Sequence, residues 1–156
     1  MLSIDIPGFG RVEIEHLVSD FTGTLSEDGR LCQGVRERLN RLSGSVEIHI
    51  LTADTFGRAA EELKDINCRL HILHGSDHDI QKEDYVRKLG PERVFALGNG
   101  NNDRRMLRIA RIGVSVLLRE GCATDAIMAS DILVTSIEDG LDLLLKSKRL
   151  KATLRF

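Results

Sequence analysis

No apolar run in this 156-residue chain approaches the ~18 residues that a membrane-spanning helix requires, because charges or glycines break every stretch. A basic excess is missing too: 22 Lys and Arg stand against 24 Asp and Glu, for a formal net charge of -2. The chain therefore lacks the electrostatic footprint of a nucleic-acid or anionic-membrane binder. Cysteines are few and unpaired. Cys32, Cys68 and Cys122 lie far apart with no CxxC spacing, so they read as small buried apolar residues in a reducing compartment rather than as a disulfide framework. The amino terminus carries Asp5 where a secretory signal would place its basic and apolar regions, which points to the cytoplasm. Internal repeats, low-complexity tracts and Pro/Ser-rich linkers are absent.

What is present describes an ordinary globule. Apolar residues make up 42% and charged residues 29%. A chain of this length is about one domain and buries roughly two-thirds of its unfolded surface without disulfide or metal staples. The expectation is one domain over residues 1–156.

Short β-branched runs alternate with amphipathic stretches. The pattern predicts strands at Glu15–Asp20, Val46–Thr52, Arg69–His74, Arg93–Gly98, Ile112–Leu117 and Asp131–Val134. Helices are predicted at Gln33–Leu42, Phe56–Asp65, Gln81–Leu89, Asp103–Ala110, Cys122–Met128 and Ile137–Ser147. The alternation implies βαβ units, a parallel sheet and helices on both faces. Leu2, Ile4 and Ile6 alternate before Pro7-Gly8, and Val12 and Ile14 alternate after Gly10, which predicts a small hairpin ahead of the main sheet.

In an open parallel sheet, ligands bind beyond the carboxyl ends of the strands. That rule selects Asp20, Thr52 and the Gly98-Asn99-Gly100 turn, which three different strands deliver to one edge. Each has a plain reading as well. Asp20 can cap its turn, Thr can simply end a strand, and Asp103 can cap the helix after its Gly/Asn-rich loop. Their joint order carries the argument.

The segment Ser19-Asp20-Phe21-Thr22-Gly23-Thr24 resembles motif I of the haloacid dehalogenase superfamily. Ile50-Leu51-Thr52-Ala53-Asp54 resembles motif II, and Gly98-Asn99-Gly100-Asn101-Asn102-Asp103 resembles motif IV, usually Gly-Asp-Gly-x-Asn-Asp. For the intervening lysine, Lys82 and Lys88 compete. A helix leading into the strand near residue 94 starts at the active edge, so Lys88 would lie roughly 9 Å further from the site at ~1.5 Å per residue. Lys82 is the choice.

The resemblance implies a Rossmann-like three-layer α/β/α sandwich with a mostly parallel sheet. It also implies a Mg2+-dependent phosphohydrolase that works through an aspartyl-phosphate. Asp20 would be the nucleophile, with Thr22 and Lys82 in the catalytic group. Phosphate would be held by the Phe21 backbone amide, Thr52, Ala53, Lys82 and Asn102. Mg2+ would be held by Asp20, the Thr22 carbonyl, Asn99 and Asp103.

Three departures refine the match. Thr22 stands where most phosphatases of the superfamily carry a second Asp that protonates the leaving group. Threonine there, followed by Thr52-Ala53-Asp54, is similar to the P-type ATPases and points to their soluble relatives. Without the acid, slow hydrolysis is expected, since a positioned proton donor contributes ~10²–10⁴-fold. Asn99 replaces the metal-binding Asp, a weakening that Asp103 and Asp54 are expected to offset. Phe21 replaces the ATPase lysine. These losses keep open a second reading, a phosphate-binding regulatory or interaction module.

The intervals Leu25–Leu51 and Ala53–Gln81 are too short for a cap domain. A capless site takes a phosphorylated macromolecule, or a phosphorylated small molecule enclosed by a neighbouring subunit, so a homo-oligomer stays open. His71, His74 and His78, with Asp77 and Asp79, form a histidine-rich stretch. Zinc needs three or four converging ligands, and a strand residue and loop residues are not expected to converge.

Overall fold

The computed structural model describes all 156 residues. An antiparallel hairpin, β1 (Leu2–Ile6) and β2 (Gly10–Ile14), comes first. The main sheet is built from β3 (His16–Asp20), β6 (Glu47–Thr52), β7 (Arg69–Ile72), β8 (Val94–Gly98), β9 (Ile112–Val116) and β10 (Ile132–Val134). Its order is β10-β9-β8-β3-β6-β7, and every neighbouring pair is parallel. A two-residue pair of strands, β4 (Ser26–Glu27) and β5 (Arg30–Leu31), forms a flap after β3.

Parallel strands covered on both faces read as continuous apolar runs rather than alternating ones. All five residues of β8 and of β9 are buried, as are the last four of β3. The hairpin alternates instead, burying Ile4, Ile6, Val12 and Ile14 and exposing the residues between. One face of the sheet carries the hairpin with α1 (Val35–Leu42), α2 (Ala59–Leu63), α6 (Ile137–Leu145) and α7 (Ser147–Leu154). The other face carries α3 (His78–Leu89), α4 (Arg104–Ile109) and α5 (Thr124–Ala129). No helix is long and apolar enough to cross a membrane.

The predicted strands and the hairpin are all present, with ends that differ by at most two residues. The helices differ more. α3 begins at His78, three residues before the predicted Gln81, and α2 is only five residues long. α7 was not expected. The backbone leaves helical angles at Lys146 (φ -123, ψ 65) and winds a separate helix in which only Leu150 is buried. One buried position gives no 3.6-residue pattern to read.

Chain order explains where a ligand can enter. β3 is the first strand of the main sheet, yet it sits in the middle, with β6 on one side and β8 on the other. The connection from β3 runs toward β6 and that from the adjacent β8 toward β9, in opposite directions, which opens a crevice beyond the carboxyl ends of the two strands. Asp20 is the residue at that end of β3.

Candidate active site

Side chains alternate along β3, so His16, Val18 and Asp20 share one face. That face packs under α3. Asp20 closes the strand with its side chain buried, and Lys82, on the second turn of α3, reaches it from above. The Lys82 Nζ donates to Asp20 Oδ1 at 2.9 Å and to Asp103 Oδ1 at 2.6 Å. All three groups are nearly or fully inaccessible to solvent. Buried charges survive only when paired, and here one ammonium serves two carboxylates.

Burial lowers the Lys82 pKa, but the charges of Asp103 and Asp20 outweigh it and hold the ammonium above its ordinary value. For Asp20, burial first and then the Asp103 charge push the carboxyl up to about 7, against the pull of Lys82 and a backbone hydrogen bond from Phe21.

Asp103 is placed by its own loop. Its Oδ2 accepts from the backbone N–H groups of Asn99 and Gly100, both at 2.9 Å. The side chain folds back over Gly98 so closely that a Cβ there would lie 2.6 Å from the Asp103 Cβ and Cγ. Glycine at 98 is therefore a packing requirement.

A cavity of about 210 Å3 opens above this layer, bounded by Asp20, Thr22, Thr52, Ala53, Thr55, Asn99, Gly100 and Asn102. Six of the nine residues expected from sequence line it. The Phe21 ring is buried in the core, which leaves its backbone amide, the group expected to contact phosphate, at the carboxyl end of β3. Lys82 and Asp103 lie beneath the cavity wall and not at it. The expected Asp103 ligation is thus not seen as a direct contact surface: its oxygens are given to Lys82 and to the 98–100 turn.

Asp54, expected as an offsetting carboxylate, is spent on a helix. Its Oδ1 accepts from the N–H groups of Arg58 and Ala59, both at 3.0 Å, and so caps α2. The Asp54 N–H in turn donates to Thr52 Oγ1 at 2.9 Å, which orients that hydroxyl.

Oxygen donors converge where a cation would sit. The Thr24 hydroxyl is 3.5 Å from Asp20 Oδ2 and 3.2 Å from Asn99 Oδ1, so both atoms face one small space. A carboxylate oxygen, an amide oxygen and the nearby Thr22 backbone make an all-oxygen set, which fits a hard divalent cation such as Mg2+. The Asn99 Nδ2 donates to the Gly121 carbonyl at 3.2 Å, and this fixes which way the amide points.

Glu120 was missed from the sequence. At Gly23 (φ +77), a Cβ would lie 2.5 Å from Asn99 Nδ2 and 2.6 Å from Glu120 Oε2, so Glu120 reaches the same neighbourhood. Burial, followed by Asp28 and Glu27, pushes its carboxyl upward. No motif in the sequence marks it: the turn holding Glu120 follows β9, and its reach toward Asn99 depends on β9 lying beside β8.

At the opposite end of the same face, His16 Nδ1 and His49 Nε2 are 3.1 Å apart, and His49 Nδ1 is 3.0 Å from the Tyr85 hydroxyl. Burial lowers the pKa of His49 to about 4. The histidine-rich stretch is distributed differently: His71 lies in β7 with its ring 5.5 Å from that of Tyr85, and His78 opens α3.

No family model matches the chain. It is 48% identical over 71 residues to the Methanocaldococcus jannaschii protein MJ0073, covering 45% of this chain and 76% of the relative. A second protein of that organism, MJ0072, is 46% identical over 39 residues, covering 25% and 89%.

Among solved structures, the chain superposes on 3-deoxy-D-manno-octulosonate 8-phosphate phosphatase from Moraxella catarrhalis, in complex with magnesium, phosphate and its sugar, with a TM-score of 0.69 at 20% identity over 91% of this chain and 94% of the other. The cobalt-bound Haemophilus influenzae phosphatase gives 0.71 at 12% identity over 92% and 94%. The Yersinia pestis enzyme gives 0.64 at 17% over 97% and 95%. At those identities the likeness is one of fold. The chain belongs to one family with MJ0073, and its fold is that of the haloacid dehalogenase superfamily.

Proposed function

We propose that the chain is a single-domain, Mg2+-dependent phosphohydrolase acting through an aspartyl-phosphate. The observation that carries this reading is Asp20: a buried carboxylate with one oxygen held by Lys82 and the other facing an open polar cavity. The structural neighbours, phosphatases solved with magnesium and phosphate or with cobalt, support the same chemistry.

In this reading the free oxygen of Asp20 attacks phosphorus, the bond to the leaving-group oxygen breaks, and the phosphoryl group passes to the carboxylate. Lys82 keeps the other oxygen in place and balances the two buried carboxylates. Thr52, Ala53, Asn102 and the backbone after Asp20 hold the phosphoryl oxygens. Water then attacks phosphorus and releases phosphate, which restores Asp20. Asp20, the Thr22 carbonyl and Asn99 would hold the metal, with Asp103 supporting from below. Magnesium, when bound, supplies positive charge that favours ionised Asp20 and offsets charge on the transferring group.

Thr22 donates no proton comparable to a carboxylic acid, so turnover on esters with poor leaving groups is slow. Thr22 and the Thr52-Ala53-Asp54 segment also support placement in the soluble P-type ATPase-like branch. A cavity of about 210 Å3 takes a phosphoryl group and leaves the remainder of the substrate outside. That suits a phosphorylated small molecule, or a phosphorylated macromolecule presented at the surface.

Release of p-nitrophenol from its phosphate ester with Mg2+ is the direct test. Wild type should turn over, and Asp20→Asn should fall to the rate without enzyme. Equal rates for the two proteins would end the enzymatic reading.

A second reading rests on the two neutral residues, Thr22 and Asn99, at positions where carboxylates are usual. A phosphate-binding regulatory module would bind beryllofluoride with Mg2+ in calorimetry yet turn over no ester in a broad panel.

A further inference from the structure

The register between β3 and β6 sets His16 directly beside Glu47, with His49 two residues further along β6. Residues two apart on a strand share a face, so the three side chains meet on the α3 side of the sheet. We propose that His16, Glu47 and His49 form a transition-metal site, of the kind that takes zinc, at the amino end of the two central strands.

The three donor atoms are single and convergent. His16 Nδ1 lies 3.1 Å from His49 Nε2, His49 Nε2 lies 3.7 Å from Glu47 Oε2, and His16 Nδ1 lies 4.0 Å from the same oxygen. Ligand bonds of ~2.0–2.1 Å in a tetrahedral zinc site give donor-to-donor edges of ~3.4 Å. The observed triangle brackets that value, so small side-chain adjustments seat an ion. Two imidazoles and one carboxylate, with a fourth position for water, match the donor set of open zinc sites. Nitrogen donors disfavour Mg2+ and Ca2+, which prefer oxygen.

Two surrounding features agree. A zinc-bound imidazole normally donates its other ring N–H to an oxygen acceptor, which fixes the tautomer. Here His49 Nδ1 is 3.0 Å from the Tyr85 hydroxyl, an oxygen that can accept the Nδ1 hydrogen in the tautomer whose Nε2 lone pair faces the ion. A cavity of about 490 Å3 opens against His16 and Glu47 and provides the entry path. One group opposes the ion. The guanidinium of Arg69 sits 3.3 Å from Glu47 Oε2, but its side chain is 71% exposed and can turn into solvent.

The site is independent of Asp20. Four residues of strand at ~3.3 Å per residue separate His16 from Asp20 by about 13 Å. Bound metal would tie β3 to β6, adding stability that grows with the logarithm of free metal concentration above the dissociation constant.

The experiment uses purified, metal-stripped Asp20→Asn protein, so that ions at the phosphate cavity contribute little. Zn2+ is titrated by calorimetry, and Co2+ by its visible d–d absorption, which is intense only for a tetrahedral site. One equivalent is expected, with a raised melting temperature. His49 is buried and its replacement endangers folding, so the discriminating variants are Glu47→Gln and His16→Ala. Each should weaken Zn2+ binding at least tenfold while the protein stays folded by circular dichroism. Absence of a saturable site, or affinity that neither variant changes, would overturn the assignment.

Discussion

The two ends of the sheet face beneath α3 are built from the same strand and the same helix, yet they solve opposite problems. At the carboxyl end, Asp20 and Asp103 are buried with one lysine, and the charges compensate each other. At the amino end, His16, His49 and Tyr85 are joined by neutral hydrogen bonds, with Glu47 and Arg69 at the solvent rim. Lys82 and Tyr85 are three residues apart on α3, so one helical turn separates an ionic centre from a neutral one. Between them Val18, Leu51 and Val86 form an apolar partition. A charged cluster loses much when one partner is removed, because the others stay behind unpaired in a dry environment. A neutral chain loses one hydrogen bond.

That contrast can be broken by substitution. The largest effect is expected for Lys82→Met, which leaves two buried carboxylates without their cation. It should cost about 3–5 kcal/mol, seen as a fall of roughly 6–20 °C in melting temperature. Asp103→Asn in the same background should recover part of the loss. A shift as small as that of a surface lysine would show that water screens the cluster.

Next comes Thr22→Asp, which returns a proton donor to the carboxyl end. Turnover of an alkyl phosphate should rise by about 10²-fold, and that of an aryl phosphate, whose leaving group needs little help, by much less. The ratio of the two rates is the measurement. Equal gains on both substrates would mean that the acid is not what wild type lacks.

The smallest effect belongs to Tyr85→Phe. It should cost about 1 kcal/mol in chemical denaturation, and leave phosphate release unchanged. A loss as large as that of Lys82→Met would erase the distinction between the two ends.

The carboxyl end was legible in the sequence because its residues sit at strand ends in a fixed order, and strand ends are where open parallel sheets bind ligands. Lys82 was separable from Lys88 by helix rise alone, since direction along α3 decides which lysine reaches the edge. Other roles were not legible. Asp54 looked like a spare carboxylate, but the first turn of α2 left N–H groups that it caps. Asp103 looked like a metal ligand, but the 98–100 turn and Lys82 claim its oxygens. Both outcomes depend on competition for hydrogen bonds, which spacing does not record. Glu120 joins the site only because β9 lies beside β8 and its following turn swings over Asn99.

By itself the sequence determined the alternation of strands and helices, the parallel sheet, and the candidate residues at its carboxyl edge. Those features follow from periodicity and chain direction, which are local. Only the tertiary structure decided that His16 stands beside Glu47 and His49, because pairing between strands about thirty residues apart is a matter of register. It also decided that one buried lysine must serve two carboxylates, because desolvation acts on what surrounds a charge in space and not on what adjoins it in the chain.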